Sequence, residues 1–238
     1  MSNTNSNSRL IAFLGHFGVV CLPAMPLSIL AMRLGLHFRI GLLIFALSAL
    51  LGLIVCIGLV VAALLPRYRA ERSRALMRTL PPLLPVVVFL AILLPSGDVP
   101  PIHDITTDTD DPPVFDSGVF YRGEDSNSIE IKPDVIAIQK EHYPDLASIS
   151  TTMSPAEAFE RATAVAQAME WEIYNSDPDN GLFEAVYTSF WFGFKDDIVV
   201  RVRRSAEGSK IDLRSVSRVG QSDLGANAAR IRAFADEF

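Results

Sequence analysis

The sequence predicts a two-part protein: an N-terminal region of three transmembrane helices and a soluble α+β domain. In that domain a helix, a four-stranded antiparallel sheet and a second helix form two layers. Three observations predict this. The 238-residue chain carries a net charge of −6, but residues 1–95 hold eight Arg against one acidic residue, and residues 96–238 have a net charge of −13. The basic part is also the apolar part. The acidic part carries a helix-capping signal followed by runs of alternating apolar residues. Segments this different belong in different surroundings.

The membrane region is read first. Leu10–Met32 and Ile40–Leu65 contain no Asp, Glu, Lys or Arg. Each exceeds the roughly 20 helical residues that cross a hydrocarbon core. A third span is expected over about 75–95, "ALMRTLPPLLPVVVFLAILLP". There Pro81 and Pro82 suit a first helical turn, Pro85 falls inside the helix, and Arg78 snorkels to the interface. Three successive apolar stretches fit a cleaved signal peptide poorly. The loop 66–79 holds five Arg and the loop 33–39 only two, so the larger basic loop is expected in the cytoplasm. That places the N-terminus inside and residues 96–238 outside, which in a bacterium is the periplasm. Both cysteines, Cys21 and Cys56, lie in the first two spans, so the exported part has no disulfide, thiol nucleophile or Cys-based metal site. Its acidity argues against nucleic acid as a partner.

Residues 96–118, "SGDVPPIHDITTDTDDPPVFDSG", read as an acidic Pro-rich linker, with the periplasmic α+β domain at 119–238. "SPAE" at Ser154–Glu157 is a capping box with Pro at N1, and Phe159, Ala162, Ala166 and Met169 form one helical stripe behind it. A strand over Trp171–Ser176, a turn at Asp177–Gly181 and a strand over Leu182–Phe192 follow. The last hairpin has a preferred register, with Val202 opposite Ile211, Val200 opposite Leu213 and Arg201 opposite Asp212, around a four-residue loop Ser205–Gly208. Ser222 or Asp223 should cap a terminal helix whose stripe is Leu224, Ala228, Ile231, Ala235 and Phe238.

The runs "PPIHDITTDTDDPPVF", "YPDL", "WFGFKDDIVVRV" and "IDLRSVSRVGQSDLGANAARIRAF" resemble the bacterial domain-of-unknown-function family 1499, over roughly residues 101–238. Arg214 to Arg232 is the most specific part. The family includes members with membrane spans ahead of the domain. The resemblance implies no activity and no catalytic residues.

Several clusters carry candidate chemistry. Arg214, Arg218, Ser222, Asp223 and Asn227 sit where a strand turns into a helix. They could hold a phosphate or carboxylate on the helix N-terminus. Alternatively Asp223 fills that place, caps the helix and pairs with Arg214 or Arg218, while Asn227 ties the first turn to the sheet. The chain's own acid competes with any ligand anion, which favours the structural reading. His103, Asp104, Asp108, Asp110 and Asp111 are hard donors suited to calcium. An EF-hand frame from Asp104 fails, with Thr109 at the glycine position and Phe115 at the glutamate position, so a solvated acidic linker is expected.

Phe190, Trp191, Phe192 and Phe194 cluster at a hairpin end. Strand aromatics usually pack into a core, and the sharper reading is an exposed tip touching the bilayer or a partner. His16 in the first span is expected to hydrogen-bond a neighbouring helix. A single intramembrane histidine cannot build a bis-histidine haem, and no cofactor is expected. Ser48, Gly52 and Cys56 recur every four residues as a helix-packing stripe.

No G-x-S-x-G, P-loop or H-E-x-x-H motif is present. The chain therefore reads as an inner-membrane-anchored protein with a periplasmic interaction module, an accessory or assembly subunit of a membrane complex. Its expected partners are the bilayer and other membrane proteins. The alternative is an exported hydrolase or transferase, or a small-molecule or lipid-binding domain, acting on an anionic ligand near the 214–227 turn.

Overall fold

The computed structural model describes residues 2–94 and 99–238, apart from the side chains of residues 2–7 and 93. It separates into two compact units, Met1–Pro95 and Ser96–Phe238.

In the first unit, helices α1 (Ser2–Cys21), α2 (Ala24–Arg33) and α5 (Leu80–Leu93) pack against α3 (Phe38–Leu64). Short helical turns over Pro66–Glu71 and a six-residue α4 (Arg72–Met77) precede α5. Among the described residues two helices are long and apolar enough to cross a membrane: Ser8–Arg33, counted through the break at Pro23, and Phe38–Leu64. The expected third span differs from the prediction. Its segments Pro66–Met77 and Leu80–Ile92 meet at a 53° bend, and only the pair together could count as a span. The cause is local. Pro81 and Pro82 restart the helix at Leu80 after Arg78 and Thr79 have closed the preceding turn. Fourteen residues of α5 alone reach about 21 Å, less than a core of about 30 Å.

The second unit is built on an antiparallel sheet of six strands, not four. They are β1 (Asp104–Thr106), β2 (Ile149–Thr151), β3 (Glu172–Asp177), β4 (Leu182–Thr188), β5 (Lys195–Ser205) and β6 (Gly208–Ser217). Their order is β1-β6-β5-β4-β3, and β2 continues the β1 edge by pairing with the start of β6. The expected register holds, with Val202 opposite Ile211, Val200 opposite Leu213 and Arg201 opposite Asp212. The loop is tighter than expected, because Ser205 and Gly208 pair and leave only Ala206 and Glu207 to turn. Gly208, at φ +141°, takes a backbone conformation that a Cβ would oppose, and a Cβ there would lie 2.3 Å from the Thr151 carbonyl.

Strand alternation gives the sheet two very different faces. One face carries Phe183, Ala185, Ile198, Val200, Val202, Ile211 and Leu213, and packs against α7 (Pro155–Ala168) and α8 (Ala226–Glu237). The predicted capping box starts α7: Ser154 accepts the Glu157 N–H while Glu157 accepts the Ser154 N–H. Phe159 meets Phe183 edge-on at 5.8 Å, and Trp171 stacks on Phe234 at 5.3 Å. Phe234 replaces two members of the predicted α8 stripe, since Leu224 is 47 % exposed and Ala235 also faces solvent. The other face is covered by the irregular stretch 107–131, with a small apolar patch of Phe115, Val199 and Val216. A ten-residue helix α6 (Pro133–His142) follows, and its Gln139 brackets β1 by accepting from the Thr106 N–H at 3.0 Å and donating to the Thr106 carbonyl at 2.6 Å.

The expected linker at 96–118 is therefore part of the folded domain from Asp104 onward. Asp104 and Asp108 pair with the sheet cations Arg214 and Arg203 and are largely withdrawn from water, which a composition-based reading does not detect.

Candidate functional site

Arg214, Arg218, Ser222, Asp223 and Asn227 were expected to meet at the turn into α8. Strand geometry sends them to different places. Arg214 faces the side covered by 107–131. It is 1 % exposed, donates to Asp104 at 2.9 and 2.7 Å and to the Ile129 carbonyl at 2.7 Å, and lies over the Phe115 ring. Arg218, just past β6, makes a two-pronged pair with Asp197 at 2.9 and 2.7 Å and donates to the Tyr121 carbonyl at 2.8 Å. Asp197 is fully buried and also accepts from Arg122. Burial lowers the Arg122 pKa, and the Asp197 carboxylate opposes that shift. Tyr174, at a bulge in β3, borders this group. Burial raises its pKa, and the nearby acids Asp197 and Glu184 add to the rise.

Asp223 pairs with neither arginine, which corrects the sequence reading. Its oxygens accept the Gly225 N–H at 2.8 Å and the Asn227 N–H at 3.0 Å. It holds the first turn of α8 from outside, because the N-cap itself is Gly225 at φ +83°. Burial raises the Asp223 pKa, those two N–H bonds oppose the rise, and the Asp196 charge adds to it. Ser222 accepts the Leu224 N–H at 3.2 Å and donates to the Pro100 carbonyl at 3.4 Å, so it serves the turn and not the cap.

Asn227 does tie the helix to the sheet. Fully buried, it accepts from Ser215 Oγ at 2.7 Å and donates to Ser217 Oγ at 3.0 Å and the His103 carbonyl at 3.1 Å. Arg230 joins this knot through Ser215 and Asn227, pairs with Asp196 at 2.6 Å, and sits over the Tyr187 ring. Arg230 and Asp196 were not singled out from the sequence. The signal was present in "KDDIV": Asp196 and Asp197 are adjacent in a strand, so they point to opposite faces and each needs its own cation.

The same logic governs Glu184. Its carboxylate, fully buried, accepts the backbone N–H groups of Asp116 and Ser117 at 2.6 and 2.9 Å and the Asn175 side chain at 3.1 Å. The calcium-like acids are occupied too. Asp108 accepts the Asp110 and Asp111 N–H groups and pairs with Arg203 at 2.8 Å, while Asp111 pairs with Arg203 at 2.8 Å. Among the described residues no three His, Cys, Asp or Glu side chains form a metal-sized cluster. Chemically, these groups close a sheet face. Arg214 or Arg218 would have to give up its paired carboxylate, on Asp104 or Asp197, before holding a ligand anion.

The aromatic cluster divides. Phe190 and Trp191 are 76 % and 65 % exposed, whereas Phe192 and Phe194 are half-buried and stack on each other at 5.2 Å. The expected core role fails for the first pair because β4 stops at Thr188, leaving them in a loop. Phe120, 87 % exposed, was not singled out. An open groove of about 470 Å³ runs along α7, lined by Ala156, Glu160, Ala164, Gln167 and Asp179 among others.

In the first unit Ser48, Gly52 and Cys56 serve internal packing. Ser48 donates to the Cys21 carbonyl at 3.3 Å, Cys56 approaches the Thr79 carbonyl at 3.5 Å, and a Cβ on Gly52 would lie 2.4 Å from the Pro82 carbonyl. His16 bonds its own helix at Ala12, at 2.7 Å, and faces outward instead of reaching a neighbouring helix. Arg78 lies over Gly15 and donates to the Ile11 carbonyl at 3.1 Å.

No curated protein matches this chain. A family model does, over residues 104–238. The match begins at the first residue of β1 and ends with the chain, so it takes in the sheet, the helices α6, α7 and α8 and the covering stretch, and leaves out the apolar helices. The chain belongs to the family described as "Protein of unknown function (DUF1499)".

Proposed function

We propose that this protein is a bacterial inner-membrane accessory or assembly subunit, with its N-terminus in the cytoplasm and its family domain in the periplasm. The domain serves as a docking module for other membrane proteins. One observation carries the reading: the residues that could have formed a reactive or anion-binding centre are spent on the domain's own sheet. Arg214, Arg218 and Arg230 each hold a separate carboxylate, on Asp104, Asp197 and Asp196. What such a domain offers outward is shape and surface. The groove along α7 is a concave surface that a partner segment could occupy. Five Arg in the loop 66–79 support the orientation.

Mild detergent extraction followed by native electrophoresis tests the reading. A complex larger than the protomer, containing other membrane proteins, is expected. Ala164→Arg, on the exposed side of α7, should shrink it without loss of the protomer. A monomer without co-purifying proteins would overturn the proposal. Digestion of residues 99–238 by protease added to spheroplasts checks the orientation, and full protection would reverse it.

A further inference from the structure

The exposed aromatics converge at one end of the sheet. Arg218 brings two loops together, because its side chain binds the Tyr121 carbonyl at 2.8 Å while its N–H binds the Lys195 carbonyl at 3.0 Å. Tyr121 ends the helical turn Gly118–Tyr121, and Lys195 follows the β4–β5 loop. The first loop exposes Val119, Phe120 and Tyr121 at 56, 87 and 55 %, and the second exposes Phe190 and Trp191. Neither Gly118–Tyr121 nor Phe190–Phe194 contains a charged residue. Both loops are held firmly: Glu184 and Asp197 fix the first from beneath, and the Ser189 N–H bonds the Phe194 carbonyl at 2.7 Å to close the second.

The chain enters the domain at this same end. The Ser217 N–H binds the His103 carbonyl at 2.9 Å, the Asp223 N–H binds Ile102 at 3.1 Å, and Ser222 binds Pro100. Val99 stands five residues after Leu94, which closes the apolar helix α5. Five residues of extended chain span at most about 18 Å. If α5 enters the bilayer, as in the function proposed above, a linker of that length limits how far the start of the domain can stand from it. Trp, Tyr and Phe are the side chains favoured at the boundary between headgroups and acyl chains. The domain's net charge of −13 works against long-range attraction to anionic lipid, and the two loops themselves are uncharged, so apolar contact is the mode they favour.

We infer that Phe120, Tyr121, Phe190 and Trp191 form a lipid-contacting edge that seats the domain on the bilayer interface. The seating depends on apolar insertion and needs no anionic lipid.

The two tryptophans make this measurable in the full chain. Trp171 is 4 % exposed and stacked on Phe234, Trp191 is exposed, and the apolar helices contain none. Purified full-length protein is reconstituted into phosphatidylcholine vesicles carrying bromine near the top of the acyl chains. Trp191 emission is expected to be quenched, Trp191→Phe should remove the quenched component, and adding phosphatidylglycerol to the vesicles should leave it unchanged. Phe120→Ser should weaken quenching, with Trp171 emission reporting that the fold persists. Three outcomes would each overturn the inference: quenching by aqueous iodide but not by bromolipid, protection from both, or quenching only with anionic lipid present. No partner protein is in the sample, so the result is independent of the docking proposal.

Discussion

The two faces of the sheet are closed in different proportions. On the helix side, Phe183, Ile198, Val200, Ile211 and Leu213 are removed from water by α7 and α8, and cohesion is mostly non-directional, with one polar knot where Arg230 pairs with Asp196 and meets Ser215 and Asn227. On the other side, the stretch 107–131 has little apolar area to offer, and Asp197, Glu184, Asp212 and Arg214 lie buried beneath it. Each of those charges lost its hydration, and only partners in good geometry offset that loss. The first face should tolerate change gradually. The second should tolerate matched change and fail on single deletions.

The largest effect is expected from Asp197→Ala. It leaves two guanidinium groups, Arg122 and Arg218, with side chains 6 % and 12 % exposed and no carboxylate. Breaking one buried pair costs about 3–5 kcal/mol. Urea unfolding of the detergent-solubilised full chain, followed by Trp171 emission, measures it. The triple change Arg122→Met, Asp197→Leu, Arg218→Met should cost less than the single one, because no charge stays buried alone. A triple variant that is less stable than Asp197→Ala would show that the charges contribute net stability.

Leu213→Ala comes next. Leu213 is fully buried on the helix side, and a truncation there costs about 2–5 kcal/mol, graded by how far the core relaxes. The same unfolding experiment applies. If Leu213→Ala costs under 1 kcal/mol while conservative swaps on the charged face are harmless, the contrast between the faces is lost.

A smaller effect distinguishes partners from neighbours. Asp223→Ala removes an acceptor from two N–H groups at the start of α8 and should cost about 1 kcal/mol. Asp223 shares no partner with Arg218, so the double variant should lose the sum of the two losses, to within about 0.5 kcal/mol. Asp197 and Arg218 should instead show a coupling of about 0.5–3 kcal/mol. Coupling of Asp223 with Arg218 would restore the pairing that the sequence suggested.

The helix side was legible in the sequence, and the reasons are physical. The capping box at Ser154 is a local signal, and the β5–β6 register follows from alternation in two adjacent strands. Neither needs a distant residue. The charged side was not legible, because its pairs join Asp104 to Arg214 and Arg122 to Asp197, far apart in sequence. The three-residue strands β1 and β2 are too short to show a period, so residues 104–106 passed for linker. The candidate cluster at 214–227 was read as one site because its members are close in sequence. Strand alternation sends Arg214 to one face, and α8 takes Asn227 to the other. Phe120 escaped notice because one aromatic in an irregular stretch carries no pattern.

The smallest predicted effect opposes two carboxylates over pH. Asp108 lies against the charged face. Burial pushes its pKa up, but the Asp111 N–H, the Lys210 charge, the Arg203 side chain and the Asp110 N–H together hold it below the ordinary 3.8. A depressed folded-state pKa adds stability above the unfolded value and loses it as pH falls through the folded one. Asp223 has the reverse sign. Burial holds its pKa above 3.8, so its contribution is complete below that value and is lost as pH rises through the folded-state pKa. Unfolding free energies taken from pH 3 to pH 7 on the full chain should therefore diverge. The advantage of the natural protein over Asp108→Asn should grow with rising pH, and its advantage over Asp223→Ala should shrink. The two slopes have different physical origins: a carboxylate held among cations on the charged face, and one desolvated beside a helix end on the apolar face. Parallel slopes would mean that the two acids share one environment, and the contrast between the faces would not extend to their borders.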